Sequence, residues 1–454
     1  MTVVWCRASR PGTRGSSRVT LAANGSSRTR VGKETYRGIA MIRTGSVIVA
    51  AASTAVFLSP PSFQGSDLAR RVSSAPDGLV KMSYAARDGI CGDGRSFIAD
   101  ATSSARGYDV WFMDGMSVTT SMGDIGARCQ TGPVRLLLVV RDHRVVDVQP
   151  FVGPSSPATE RPGTELGAVS AAAVSRYLLD LAAHGRDDGA RNAILAASIA
   201  DSVRVSPSLS AMARDKSLTS SVRESALKWL GRVAPREGDR DAMRVVRSIA
   251  EDGDDQVEVR ERAIRVIGED DDGAAYLRTL FTRVDEPTLR ERIVRVIGEH
   301  GTKADMDWIR GIALDRAERT SVRERALRAF GDASDSRALR EIYDRLEEPS
   351  LRERVVKTIA EIGDGESRRW LREIVERPTE PSAVRERAIR SLAEQGDLTY
   401  LRSLYGKLDN EGLHERVLRS VAEGGGSEVT TWLRGIIRDS KESSGLRDRA
   451  VRCL

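Results

Sequence analysis

Six short stretches in the second half of the chain are near copies of one another: Val259-Arg-Glu-Arg-Ala, Leu289-Arg-Glu-Arg-Ile, Val322-Arg-Glu-Arg-Ala, Leu351-Arg-Glu-Arg-Val, Val384-Arg-Glu-Arg-Ala and Leu413-His-Glu-Arg-Val. A repeated motif constrains architecture before composition does, because each repeat must bury its apolar face against the next. The second position falls at Arg260, Arg290, Arg323, Arg352, Arg385 and His414, and once more at Arg447. The steps alternate between about 30 and about 33 residues. Two repeat types therefore take turns. Trp308, Trp370 and Trp432 recur at a constant 62-residue step, which marks the duplicated unit as a pair of repeats.

Each repeat reads as two helices. The first carries an aromatic residue followed by Leu or Ile and Arg, as in Tyr276-Leu-Arg, Trp308-Ile-Arg, Trp370-Leu-Arg, Tyr400-Leu-Arg and Trp432-Leu-Arg. The second shows apolar residues at helical spacing in Val259, Ala263, Ile264, Val266 and Ile267. Gly268, Gly298, Gly331 and Gly363 are expected to close these second helices in the left-handed conformation. Turn residues such as Asp285-Glu-Pro-Thr and Glu347-Glu-Pro-Ser separate the hairpins. A weaker copy, Ser221-Val-Arg-Glu-Ser-Ala, extends the series upstream, and Ala171–Ala183 with Ala190–Ala200 reads as a degenerate terminal pair.

The pattern Val-Arg-x-x-Ala-x-x-x-hydrophobic-Gly, seen intact in Val322-Arg-Glu-Arg-Ala-Leu-Arg-Ala-Phe-Gly331, resembles the HEAT-like repeats of the phycobilisome-lyase type, an armadillo-like helical family. His414 departs from it, since the usual Arg is missing. The resemblance implies a mainly α fold: a right-handed α-solenoid of about nine helical hairpins over residues 166–454, with the second helices lining a concave surface. It also implies a structural role for Arg260, Arg290, Arg323, Arg352 and Arg385, bridging neighbouring repeats through an acidic loop residue. Members of such families range from scaffolds to lyase subunits, so function stays open at this point.

Charge narrows the partners. The formal net charge is +6, but residues 1–40 hold seven Arg and one Lys against Glu34 alone. The rest of the chain is close to neutral, unlike a nucleic-acid binder, which concentrates positive charge on its folded surface. Residues 1–40 lack periodicity and are expected to be disordered. Residues 41–65 then read as a signal peptide: Met41-Ile-Arg-Thr, an apolar run from Val47 to Leu58, and Ser59-Pro-Pro-Ser, with cleavage between Ala55 and Ser66. On this reading Met41 is the true start and the product is periplasmic or secreted. An uncleaved segment would be the one membrane contact.

Residues 78–153 have a different grammar, with strand-like alternation and a hairpin at Arg141-Asp-His-Arg. They are expected to form a small β-rich domain, followed by a linker over residues 154–165. Cys91 and Cys129 lie within it, either as one disulfide or as two buried thiols; a bridge closing that loop would contribute about 3–4 kcal/mol.

Candidate chemistry centres on acid–base pairs four residues apart on the second helices: Glu261 with Arg265, Glu291 with Arg295, Glu324 with Arg328, Glu353 with Lys357, and Glu386 with Arg390. This order stabilises a helix by about 0.2–0.5 kcal/mol per pair. The bland reading is a solvated, self-paired face; the sharper one is a mixed-charge strip that binds a protein or peptide. Trp308, Trp370 and Trp432 read as packing between repeats rather than as a binding ladder. Asp252-Gly-Asp-Asp and Glu269-Asp-Asp-Asp-Gly lack calcium-loop spacing, and no metal, cofactor or catalytic set is legible. The expected function is an exported protein-binding scaffold. Two alternatives are a lyase-like enzyme or enzyme subunit, and nucleic-acid binding by the concave face.

Overall fold

The computed structural model describes residues 65–104, 107–112, 126, 128–157, 159–184 and 188–454. The disordered segment expected over residues 1–40 and nearly all of the expected signal peptide lie outside them. Helix α1 (Gly65–Ser73) opens the described chain. Strands β1 (Gly78–Tyr84), β5 (Val134–Arg141), β6 (Arg144–Phe151) and β7 (Thr164–Ala168) form one sheet in the order β6-β5-β1-β7. Strands β2 (Ile90–Gly92), β3 (Phe97–Ser104) and β4 (Gly107–Phe112) form a second, antiparallel one. The alternation in β1 buries Val80, Met82 and Tyr84 on one face, opposite β5, which buries Val134, Leu136, Leu138 and Val140. Asp142 and His143 both take positive φ, the two-residue turn that matches strand twist, and so join β5 to β6 as a tight hairpin.

Residues 154–165 are not the free linker the sequence suggested. Ser156 and Thr159 are buried and hydrogen-bonded to each other, and Thr164 already belongs to β7. The segment returns along the sheet because the edge of β1 offers unpaired backbone groups, which β7 takes up in parallel. The helical array therefore starts at Ala171 rather than at 166.

Nine hairpins follow among the described residues. They are α2 (Ala171–His184) with α3 (Asp188–Ser198), α4 (Ser206–Arg214) with α5 (Ser220–Glu237), and α6 (Ala242–Glu251) with α7 (Val257–Gly268). Next come α8 (Gly273–Phe281) with α9 (Pro287–His300), α10 (Lys303–Leu314) with α11 (Thr320–Asp332), and α12 (Ser336–Tyr343) with α13 (Pro349–Ile362). The last are α14 (Gly365–Glu376) with α15 (Ser382–Glu394), α16 (Leu398–Tyr405) with α17 (Glu411–Gly424), and α18 (Ser427–Arg438) with α19 (Ser444–Arg452). Local chemistry sets their starts. Thr219 caps α5, Thr302 and Asp305 form a reciprocal capping box at α10, and Pro287 and Pro349 occupy the first turns of α9 and α13, where a missing N–H costs nothing.

The second helices pack on one another along the array, whereas successive first helices meet less closely. The second helices are thus the more tightly packed layer, the one that lines the inner wall wherever such an array curves. Glycine explains part of that closeness, though not as expected. Gly268, Gly298 and Gly331 do not adopt the left-handed conformation; of the four, only Gly363 does, capping α13. A Cβ on Gly268 would lie 2.0 Å from Val296 of the next second helix, and one on Gly331 would lie 2.4 Å from Thr358. These glycines are contact points between repeats.

The sheet is not a separate body. One continuous apolar core runs from Leu68 and β1 through to Ala450. Tyr84 donates its hydroxyl to the Ala196 carbonyl, and Arg87 bonds the Val203 carbonyl and Glu237. The β-rich unit thus covers the open end of the first hairpin, where a solenoid would otherwise expose apolar surface.

Candidate functional site: the inner wall

Within each Val-Arg-Glu-Arg-Ala stretch, the first, fifth and sixth positions turn inward and are buried, as Val259, Ala263 and Ile264 show. The second position is an Arg pulled into the protein. Arg260, Arg323 and Arg385 each donate Nε to the carbonyl ending the preceding helix, that of Ala250, Ala313 or Val375. Arg290 and Arg352 likewise bond carbonyls of the preceding loop, Val284 and Leu346. Most also reach forward to an acid in the next loop. Arg290 meets Glu318, Arg323 meets Glu348 at 2.9 Å, Arg352 meets Glu380 at 3.0 Å and Arg385 meets Asp409 at 3.0 Å. The upstream copy makes the most buried version, Arg223 gripping Asp255 with two bonds of 2.6 and 2.5 Å. Burial alone would raise the Asp255 carboxyl; the Arg223 hydrogen bonds and charge bring it below its usual range. The Arg323 contact holds Glu348 down at about 2.

The third, fourth and seventh positions face the inner wall, most of them half-buried and Arg295 exposed. Here the structure departs from the expected pairing. Among the described residues, none of Glu261–Arg265, Glu291–Arg295, Glu324–Arg328, Glu353–Lys357 and Glu386–Arg390 is an ion pair within its helix. Instead, in most repeats the third-position acid bonds the fourth-position Arg of the next repeat; among the described residues Glu291 and Glu353 do not. Glu261 takes Arg292 at 2.9 Å, Glu324 takes Arg354 at 2.5 Å, Glu386 takes Arg416 at 2.8 Å, and Glu415 takes Arg449. A guanidinium offers several N–H groups across the gap between helices, so Arg354 and Arg416 each bond their Glu through two nitrogens. Such a contact outcompetes a weak pair along one helix in these repeats; Glu415 keeps both, holding Arg419 of its own helix at 3.4 Å as well. Arg325 is different: it turns to Asp332 of its own helix.

The seventh-position cations are thereby released from their expected partners. Arg295 and Lys357 turn to Glu299 and Glu361 at the rim. Arg265 lies among guanidiniums: burial, then Arg262, Arg292 and Arg295, push its pKa down against the opposing pull of Glu261. The fourth-position arginines are the wall residues that sequence reasoning passed over. Their recurrence in the motif was visible; their reach across to the next repeat was not.

Elsewhere the motifs serve packing. Trp308, Trp370 and Trp432 stand edge-on to Phe281, Tyr343 and Tyr405, with ring centres 5.1, 5.0 and 5.5 Å apart. The acidic loops face cations: Asp252 bonds Lys216, and Asp270 and Asp272 share Arg247. Cys91 and Cys129 are joined as a disulfide. Asp93 beside it accepts from the backbone of Arg95, Ser96 and Phe97 and from Arg128, which organises the glycine-rich turn. No group of three His, Cys, Asp or Glu side chains suited to a metal occurs among the described residues. No described helix is long and apolar enough to cross a membrane.

Residues 312–393 match the family model for HEAT repeats. No curated protein sequence matches the chain. Among solved structures, human deoxyhypusine hydroxylase in complex with glycerol is similar at 15% identity, covering 63% of this chain and 94% of that one, with a TM-score of 0.23. A computationally designed self-assembling cyclic homooligomer is similar at 14% identity, covering 62% and 91%, with a TM-score of 0.10.

Proposed function

We propose that this HEAT-repeat solenoid is an exported scaffold that holds a protein or peptide against its inner wall. One observation carries the reading: the wall presents a repeating, half-buried set of charged side chains tied together from repeat to repeat. Charges already fixed by neighbours lose little freedom on binding, so a docking surface built from them is pre-organised. Alternating signs suit a polypeptide, whose side chains carry both. Export is supported by the apolar segment after Met41 and by the Cys91–Cys129 disulfide, which persists in an oxidising compartment.

The test is retention of a partner from a periplasmic extract by the intact chain and by a variant with Arg265, Arg328 and Arg390 changed to Gln. The reading expects a partner that the intact chain retains and the variant loses. Equal retention by both, or turnover of a small molecule with nothing retained, overturns it. N-terminal sequencing of the product tests export, with a start between residues 55 and 66 expected; an intact Met1 in the cytoplasm would refute it.

A further inference from the structure

The charges left without partners on the inner wall follow a pattern. Helix α7 commits Glu261 to Arg292 and Arg262 to Glu224, which leaves Arg265. Helix α9 commits Arg292 to that same rung and Arg295 to Glu299, which leaves Glu291. Helix α11 gives Glu324 to Arg354 and Arg325 to Asp332, and Arg328 remains. Helix α13 commits Arg354 to Glu324 and Lys357 to Glu361, and Glu353 remains. On α15, Glu386 goes to Arg416, and Arg387 and Arg390 are left. Among the described residues, none of Arg265, Glu291, Arg328, Glu353, Arg387 and Arg390 makes a hydrogen bond or an ion pair, and all six are half-buried. The sign of the surplus therefore alternates, one step per hairpin: positive on α7, α11 and α15, negative on α9 and α13. The paired duplication explains it. Rungs close across the shorter steps of about 30 residues, and they stay open across the longer steps of about 33 residues from α9 to α11 and from α13 to α15. The series stops after α15, because Glu415 of α17 holds both Arg419 and Arg449.

We propose that this series reads an extended polypeptide in the polyproline II conformation, laid across the second helices and carrying charges of alternating sign at every third residue. The proposal rests on the scaffold reading and names the chemistry of its partner. A half-buried, unpaired charge attracts an opposite one more strongly than an exposed charge does. Packed helices stand about 8–10 Å apart. A polyproline II chain turns once in three residues and rises about 9.3 Å in doing so, so that residues three apart share a face and meet successive helices. A β-strand fits less well, since residues three apart point to opposite faces and residues two apart are separated by only about 6.6–6.8 Å. An α-helix returns to the same face after seven residues, about 10.5 Å, and drifts out of step over five hairpins. The third and seventh positions lie about 6 Å apart along a helix, so the series zigzags, within reach of long Arg and Glu side chains. A nucleic acid, whose phosphates all carry one sign, meets repulsion at Glu291 and Glu353.

The experiment is fluorescence anisotropy with the full chain and labelled proline-rich peptides. The matched peptide carries Glu, Arg, Glu, Arg and Glu at every third position. The block peptide has the same composition, with its Glu residues first and its Arg residues last. The matched peptide binds, and the block peptide binds about tenfold more weakly. The matched series reads alike in both directions, so its central Glu meets Arg328 whichever way the peptide lies. Arg328→Glu weakens the matched peptide about tenfold, and a peptide with Arg in place of the central Glu regains the lost affinity on that variant. Glu353→Gln, which removes a charge without reversing one, weakens the matched peptide about threefold and keeps the test open should Arg328→Glu fold poorly. Arg337→Gln on α12 changes the affinity less than about twofold. Equal binding of the matched and block peptides, or no rescue by the central exchange, removes the register while leaving the scaffold reading standing. Absence of binding by either peptide also removes it, and the retention experiment then judges the scaffold separately. Tighter binding of a helical peptide with the same charges at every seventh residue overturns the extended partner in favour of a helix.

Discussion

At the residue scale, the second-position arginine is the unit of cohesion. It satisfies a carbonyl left open at a helix end and carries a charge to the next loop, so one side chain ties three elements. The consequences differ with burial. Arg223 and Asp255 are both almost fully buried, and Arg223→Met would strand a carboxylate without water, costing about 3–5 kcal/mol by urea unfolding. Glu348 is 37% exposed, so Arg323→Met leaves an acid that can reach solvent, and the cost falls to about 1–3 kcal/mol. The pH dependence follows in sign. The folded-state pKa of Glu348 lies below its ordinary value, so its contribution is present above about 4.5 and is lost as pH falls through about 2. Arg323→Met should flatten that part of the acid unfolding curve; an unaltered curve would show that the contact contributes nothing.

At the element scale, the second helices approach closely because the tenth position of the repeat motif, as in Gly268, Gly298 and Gly331, is small. Gly268→Ala would gain about 1 kcal/mol of helix propensity if nothing else changed. It meets Val296, however, and should destabilise the chain by about 1–3 kcal/mol through overpacking. Adding Val296→Ala should recover part of the loss, which a double-mutant cycle would measure as coupling. A stabilising Gly268→Ala would contradict this packing. These glycines show where sequence reading stopped. A glycine near a helix end fits both a left-handed cap and a close contact, and only the position of the neighbouring helix separates the two. The same limit applied to the wall. Spacing along one helix placed Glu261 and Arg265 on one face, yet it could not weigh that pair against Arg292, which comes from the next repeat. Hairpins, their number and the tie arginines were legible because they recur; contacts between repeats depend on geometry that recurrence does not encode.

At the scale of the whole molecule, the β-rich unit and the solenoid share one core, so a disturbance in the first spreads into the second. Removing the disulfide by Cys91→Ser with Cys129→Ser should cost about 2–4 kcal/mol. Hydrogen exchange should quicken in α3, which packs on β6 and holds the Tyr84 hydroxyl, and should be unchanged in α17 and α19. Uniform loss of protection along the array would mean that the chain unfolds as one unit rather than by neighbouring repeats. The linker expected over residues 154–165 hid this continuity: its Ser, Pro and Gly content reads as flexible, while β7 uses the backbone rather than side chains to rejoin the sheet.

The central claim is that the inner wall is the docking face. Site-specific photocrosslinkers placed at Arg265 and Arg328 on second helices, and at Arg337 on the first helix α12, test it most directly in a periplasmic extract. The account predicts adducts from the two inner positions and none from Arg337. Adducts from Arg337 with none from the wall would contradict it.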